Sequence, residues 1–175
     1  MKKFKLLLLD ADVVIHLFEL GIWEDVIQRC DVHLAGTVIG EADHYVDAEG
    51  FHHEIDLQPY VADKRIARFD LEPKDMDVFK KRFGITYLER LDPGETESLT
   101  YLLTARGECT ICSADKIVFR VLGALRRSDQ ALSLEEILQQ IGLGRRLSRQ
   151  FTRAYREEWT RKGFEDGLGG IGLKK

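Results

Sequence analysis

Four acidic residues stand where an α/β chain would gather ligands for a hard metal ion. Asp10 follows the apolar run Phe4–Leu9, and Asp115 follows Cys109–Cys112 with Ser113-Ala114 between. Glu41 and Glu97 fall in the first turns of segments with helical character, after Val32–Ala35 and after Asp92-Pro93. Two unit charges about 4 Å apart repel by roughly 4 kcal/mol at an effective dielectric near 20, so such a cluster needs cations. Hard oxygen donors on an open rim suit Mg²⁺ or Mn²⁺, which keep waters and accept phosphate oxygens. An ion held there would polarise a phosphodiester, supply hydroxide near neutral pH and stabilise the leaving oxygen. Taken singly, an acid in a first helical turn is favoured by the helix dipole alone; the four together carry the chemical reading. Asp12 is either a helix-start residue or an extra ligand, and Glu95 is assigned to a capping box.

The elements that must position these acids are legible in outline. Phe4–Leu9 is apolar apart from Lys5, the pattern of a central parallel strand covered on both faces. Val13, Val14, Leu17, Phe18 and Leu20 recur at near-helical spacing, Gly21 interrupts, and Trp23, Val26 and Ile27 resume. Val32–Ala35 predicts a second strand, and Gly36-Thr37 a helix through about Ala48, stopped by Gly50. Residues 51–71 predict a hairpin or irregular excursion, because Ile55 and Leu57 alternate with Glu54, Asp56 and Gln58. Pro73 opens a helix that Gly84 stops. Asp92-Pro93-Gly94-Glu95 predicts a capping box and a helix to about Arg106 and Gly107, and Cys109–Cys112 a strand. Ile117, Val118, Val121, Leu122 and Leu125 mark a further helix, and Ser133-Leu-Glu-Glu136 a second capping box. Strands alternating with helices predict a parallel sheet flanked by helices on both faces, with ligands outside the strands' carboxyl ends.

The totals bound the partners. With 175 residues, 44% of them hydrophobic, the chain can bury one good core, and its net charge of −4 excludes attachment to nucleic acid by overall charge. Met1–Leu9 imitates the start of a signal peptide, but Asp10 and Asp12 interrupt the apolar stretch too early for export or for spanning a bilayer. Three cysteines, Cys30, Cys109 and Cys112, form no even disulfide framework, which fits a reducing, cytoplasmic setting. The Cys109-x-x-Cys112 spacing lies in a strand-like run, whose residues three apart face opposite sides, so buried structural thiols are expected. His16, His33, His44, His52 and His53 have no recognisable metal spacing.

The order Leu-Leu-Asp10-Ala-Asp-Val-Val-Ile, Thr37-Val-Ile-Gly-Glu41, Leu91-Asp-Pro-Gly-Glu-Thr-Glu97-Ser-Leu and Cys112-Ser-Ala-Asp115 resembles the PIN-domain nucleases, many of them toxins of toxin–antitoxin pairs. The resemblance covers roughly residues 4 to 143. It implies that Asp10, Glu41, Glu97 and Asp115 bind Mg²⁺ or Mn²⁺, and that Ser113 orients a ligand or water. It further implies cleavage of RNA by metal-activated water, leaving a 5′-phosphate and a 3′-hydroxyl, with an antitoxin-like partner and a homodimer. Asp12 stands where asparagine is more usual, residues 51–71 exceed a compact member, and residues beyond Gly144 are extra.

That extra segment divides the chain into a nuclease-like domain, 1–143, and a basic helix with a flexible tail, 144–175. Arg145, Arg149, Arg153 and Arg156 would share one helical face for phosphate, with Phe151, Tyr155 and Trp159 interleaved for stacking on bases. A solvated helix whose aromatics dock on the core or a second subunit fits the same pattern. Two other readings of the whole chain stand beside the nuclease. One is a non-catalytic RNA- or protein-binding module of the same fold. The other is a phosphatase, since Asp10-Ala-Asp12 also resembles the opening of the haloacid-dehalogenase type, although nothing after Asp115 supplies that family's later acidic loop.

Overall fold

Leu7, Leu8 and Leu9 are at most 1% exposed and feed two different cores, Leu7 and Leu9 one and Leu8 the other. A strand covered on both faces distributes its side chains in this way. In the computed structural model, which describes residues 3–105 and 108–174, that strand is β1 (Phe4–Leu9). Helices α1 (Ala11–Glu19) and α2 (Trp23–Arg29) return the chain to β2 (Cys30–Ala35), parallel to β1. Next come α3 (Gly36–Glu41), the antiparallel pair β3 (His44–Val46) and β4 (His52–Glu54), α4 (Gln58–Ala62) and β5 (Ala67–Phe69). Helices α5 (Pro73–Lys80), α6 (Ile85–Leu88) and α7 (Pro93–Thr104) lead back to β6 (Cys109–Cys112). The chain closes with α8 (Lys116–Ala124), β7 (Ala131–Leu132), α9 (Leu134–Gln140) and α10 (Arg153–Leu168).

The five strands run in the order β5-β2-β1-β6-β7, every pair parallel, so the expected α/β class holds. One face is covered by Val13 and Leu17 of α1, Trp23 and Val26 of α2, Val38 of α3 and Leu138 of α9. The other is covered by Phe79, Tyr87, Leu99, Leu102, Val118 and Leu122, from α5 to α8. Strand order moves outward from β1 through β2 to β5, then returns to β6 on β1's other side. The reversal opens a crevice at the carboxyl ends of β1 and β6, the place where such sheets take ligands.

Several boundaries differ from the sequence expectation. The helix begun at Gly36 stops at Glu41 and not near Ala48, and His44-Tyr45-Val46 pairs with His52-His53-Glu54. Asp47 Oδ1 accepts the N–H groups of Glu49 and Phe51, and Gly50 takes φ +87°, which turns that hairpin. Within the 51–71 excursion, Ala67–Phe69 joins the main sheet as an edge strand, too short to leave a periodic signature. The helix expected to reach Arg106 and Gly107 is seen to Thr104; those two residues lie outside the described ones. Both capping boxes are present, Asp92 with Glu95 and Ser133 with Glu136. Cys109 and Cys112 are buried in opposite cores, as strand geometry demands.

The C-terminal segment departs most. Residues 143–148 have no regular structure, and the helix starts only at Arg153, where Thr152 Oγ1 accepts the Tyr155 N–H. It then runs through Gly163 and Gly167, because these glycines are where it packs on α8. A methyl group on Gly163 would lie 2.0 Å from the Arg120 carbonyl oxygen, and one on Gly123 would lie 2.0 Å from that of Thr160. Asp166 accepts from Arg120 Nη2 at 2.5 Å and from the Tyr87 hydroxyl at 2.7 Å, tying α6, α8 and α10 together. Past the helix, Gly84 N–H donates to Gly172 O and Lys174 N–H to Arg82 O. Helix α10 is therefore packed onto the domain, and the segment after it, expected to be flexible, bonds to the turn between α5 and α6.

Candidate metal centre

Asp10 leaves the end of β1 with its N–H bonded to Cys112 O across the crevice. Ser113, fully buried, donates from Oγ to Asp10 Oδ2 at 2.6 Å and accepts from Asp115 N–H at 2.9 Å. One hydroxyl thus meets both acids, Asp10 at its carboxylate and Asp115 at its backbone N–H. Asp115 caps α8 by accepting the Ile117 N–H at 2.9 Å, which leaves its second carboxylate oxygen free of that bond.

The third and fourth acids come from α3 and α7. Glu41 is the last residue of α3, not in its first turns. Gly94 packs against it so closely that a methyl group there would lie 2.6 Å from Glu41 Oε2. Glu97 is where expectation and structure part. Its buried carboxylate accepts from Thr37 Oγ1 at 2.6 Å and from Leu71 N–H at 2.8 Å, bracing α7 against the start of α3 and the segment after β5. Residues two apart on a helix point about 200° apart at 3.6 residues per turn, so Glu97 and Glu95 cannot serve the same side. Glu95, 5% exposed, completes the capping box with Asp92 and acts electrostatically on the same side as Asp10 and Asp115. The sequence carried that signal in Asp92-x-x-Glu95, whose i, i+3 spacing puts both acids at one helix start.

The charge states record the crowding. Burial, then the nearby Asp12 and Asp92, pushes Asp10 up to about 6 against the Ser113 hydrogen bond. Burial and then Asp92, with smaller contributions from Asp115 and Asp10, pushes Glu95 up to about 9. Asp12 is raised by burial, then by Asp115 and Asp92. Glu41 keeps much of its surface in water yet is raised too, by partial burial and then Asp92 and Asp10, while the Gly94 amide opposes the shift. Six acids, Asp10, Asp12, Glu41, Asp92, Glu95 and Asp115, therefore form one repelling set.

A stability prediction follows for the metal-free protein. Below pH 4.5 Glu95 is protonated folded or unfolded; between 4.5 and about 9 only the unfolded chain releases the proton, so stability falls as pH rises. Glu95→Gln removes that slope while keeping an oxygen for the Asp92 N–H. In EDTA the variant should gain roughly 1–3 kcal/mol over wild type at pH 7.5 and almost nothing at pH 4.5. Urea unfolding at the two pH values measures it, and an equal difference at both would remove the explanation.

The basic face fares differently. Arg156 makes paired bonds to Glu136 at 2.7 and 2.8 Å, and Arg153 binds Glu157 at 2.7 Å. Arg145 and Arg149 precede α10, and Arg149 binds Glu158 at 2.9 Å. The four arginines expected on one helical face do not share one, and Arg153 and Arg156 are neutralised by acids of α9 and α10. Arg145 and Arg146 make no ion pair among the described residues. The segment before α10 instead walls a cavity of about 340 Å³ at the acids, lined by Asp12, His16, Glu19, Asp115, Ser148 and Phe151. Phe151 stacks on His16 with ring centroids 4.2 Å apart, and the histidine is bonded to Glu19 and not to a carboxylate of the set. His52 and His53 alternate across β4, as expected, with His53 on Asp47.

The donor set is all carboxylate and serine oxygen, which fits Mg²⁺ or Mn²⁺ and not a thiolate-seeking ion. Burial holds Cys109 and Cys30 up at about 11, as inert thiols. Among the described residues, no three His, Cys, Asp or Glu side chains stand close enough as placed to hold one ion together. Mg²⁺ commonly takes only one or two carboxylates and fills the rest of its shell with water, so Asp10 and Asp115 would be the residues to hold one, with Glu41, Asp92 and Glu95 as the other acids of the set. The described residues thus form a parallel α/β sheet with acids gathered at its switch crevice. Compared with known proteins, the chain matches no family model, no curated protein and no solved structure.

Proposed function

We propose that this protein is a metal-dependent ribonuclease of the PIN-like kind, with Mg²⁺ or Mn²⁺ held by Asp10 and Asp115. The observation that carries the reading is Ser113, which bonds Asp10 and the Asp115 amide at once at the crevice where β1 and β6 part. A bound ion would offset the carboxylate repulsion, polarise a phosphodiester and lower the pKa of a coordinated water. Asp10 and Asp115 place that charge, Glu41 and Glu95 supply further oxygens beside it, and the adjoining cavity gives the chain next to the scissile phosphate somewhere to lie. An antitoxin-like protein, a second copy of the chain and a cytoplasmic setting belong to the same proposal. Among the described residues, no helix is long and apolar enough to cross a membrane.

One second reading is a binding module that keeps the fold without turnover, since no three His, Cys, Asp or Glu side chains among the described residues stand close enough to hold one ion together. The phosphatase gains nothing, since Asp12 lies in the first turn of α1 and the groups acting on Asp10 are acids and the Ser113 hydroxyl.

End-labelled single-stranded and structured RNAs, incubated with Mg²⁺, Mn²⁺ or EDTA, test the proposal. Cuts are expected only with metal and should leave 5′-phosphate ends; cyclic phosphate ends or cutting in EDTA would rule it out. At about a hundred times its Kd, Mn²⁺ should add about 2.7 kcal/mol of stability, a rise in melting temperature of roughly 5–10 °C. Metal and RNA binding without cutting would select the binding module.

A further inference from the structure

With Arg153 and Arg156 neutralised, a polyanion needs another path to the acids, because the chain as a whole carries −4. Such a path lies along the flank where α8 and α10 meet. Lys116, the first residue of α8 and next to Asp115, has its Nζ 5.6 Å from the Trp159 ring centre, and Lys162 Nζ lies 4.0 Å from it. Arg149 stands over Tyr155 at 5.9 Å, and the two rings, half-buried, meet edge to face at 6.0 Å. Charge separates this flank from the Arg153 side. Glu158 alone answers both Arg149 and Lys162, and Lys116 makes no salt bridge among the described residues, so three cations face one acid. On the other side, Arg153 and Arg156 face Glu136 and Glu157, two against two.

We propose that the strip formed by Lys116, Arg149, Tyr155, Trp159 and Lys162 is a docking surface for single-stranded RNA and leads its backbone to the acids at Asp115. The proposal rests on the ribonuclease reading for the choice of RNA. The cations swing from the rings they now cover onto the phosphates, and the two rings, one helical turn apart, then offer bases a stacking surface that a duplex cannot use. From Tyr155 to Lys162 the strip runs about 10 Å along α10.

The test measures anisotropy of a fluorescent single-stranded 20-mer RNA in EDTA, from 50 to 200 mM salt. Lys116→Gln/Lys162→Gln should weaken binding at least about 10-fold at the lowest salt and reduce the salt slope by about 1.4, since each phosphate that a lysine no longer neutralises accounts for about 0.7. Arg153→Gln should change neither, and RNA should quench Trp159 emission, since Trp23 is only 2% exposed. Weakening by Arg153→Gln with the lysine variant unaffected would overturn the strip. Cleavage with Mn²⁺, scored separately, keeps the two proposals apart. RNA bound on the strip but never cut would end the nuclease and keep the strip; RNA cut normally by the lysine variant with unchanged affinity would do the reverse. Equal affinity for the duplex form would also overturn it.

Discussion

Asp10→Asn and Asp115→Asn should each lower metal-dependent RNA cleavage by about 10²–10³-fold, with the fold retained. Each substitution keeps the shape, and asparagine can still accept the Ser113 hydroxyl or the Ile117 N–H that the aspartates now accept. Only charge is withdrawn, and in the metal-free protein that withdrawal relieves repulsion, most clearly at Asp10, which is already pushed up to about 6. The variants should therefore melt no lower than wild type in EDTA and lose the stabilisation expected from Mn²⁺. Ser113→Ala should cost about 10–100-fold, because it unlinks the two acids without removing either. Glu95 and Glu97 provide the sharper contrast. Glu95→Gln should weaken Mn²⁺ affinity, whereas Glu97→Gln should chiefly lower stability through its bonds to Thr37 and Leu71. Calorimetric titration of Mn²⁺ into both decides between them, and a larger affinity loss in Glu97→Gln would restore it to the ion.

Gly123→Ala should destabilise the protein by about 3 kcal/mol or more, and Gly163→Ala by a similar amount. The obstruction in each case is backbone, the Thr160 oxygen for Gly123 and the Arg120 oxygen for Gly163, both at 2.0 Å from the added carbon. No rotamer change relieves it; the two helices must separate, and Arg120 and Asp166, packed beside the crossing, separate with them. Gly40→Ala is the control. It lies inside α3 with nothing within 4 Å of the added carbon, and should stabilise slightly, by about 0.5–1 kcal/mol. Urea unfolding of the three variants at one pH measures the contrast. A Gly123→Ala protein as stable as wild type would mean that α8 and α10 do not approach as closely as described.

What could be read from the sequence was what local chemistry decides. The run Phe4–Leu9, apolar apart from Lys5, marks β1 because a strand covered on both faces takes a nearly continuous apolar sequence. Both capping boxes were legible because their donors and acceptors lie within four residues. Asp10 and Asp115 follow from the same logic, each stepping off a well-marked strand. The failures share a cause in tertiary partners. Gly163 and Gly167 look like helix breakers until α8 is beside them, and the arginines look like a phosphate-binding face until Glu136 and Glu157 are found against them. For Glu97 the helix is legible and the contacts are not, since Thr37 and Leu71, which donate to its carboxylate, are distant in sequence.

The position of β1 has a consequence for how the chain is made. It pairs with β2 soon after leaving the ribosome, but its other edge waits for β6, about a hundred residues later, where Leu9 meets Cys112. At about 5–20 residues per second that interval is roughly 5–20 s. Throughout it a leucine-rich strand has one edge open, a hazard for association between nascent chains. Over the same interval Asp10 has neither Ser113 nor Asp115 beside it. A newborn chain thus lacks the assembled acid crevice until its leucine-rich strand has been covered on both edges.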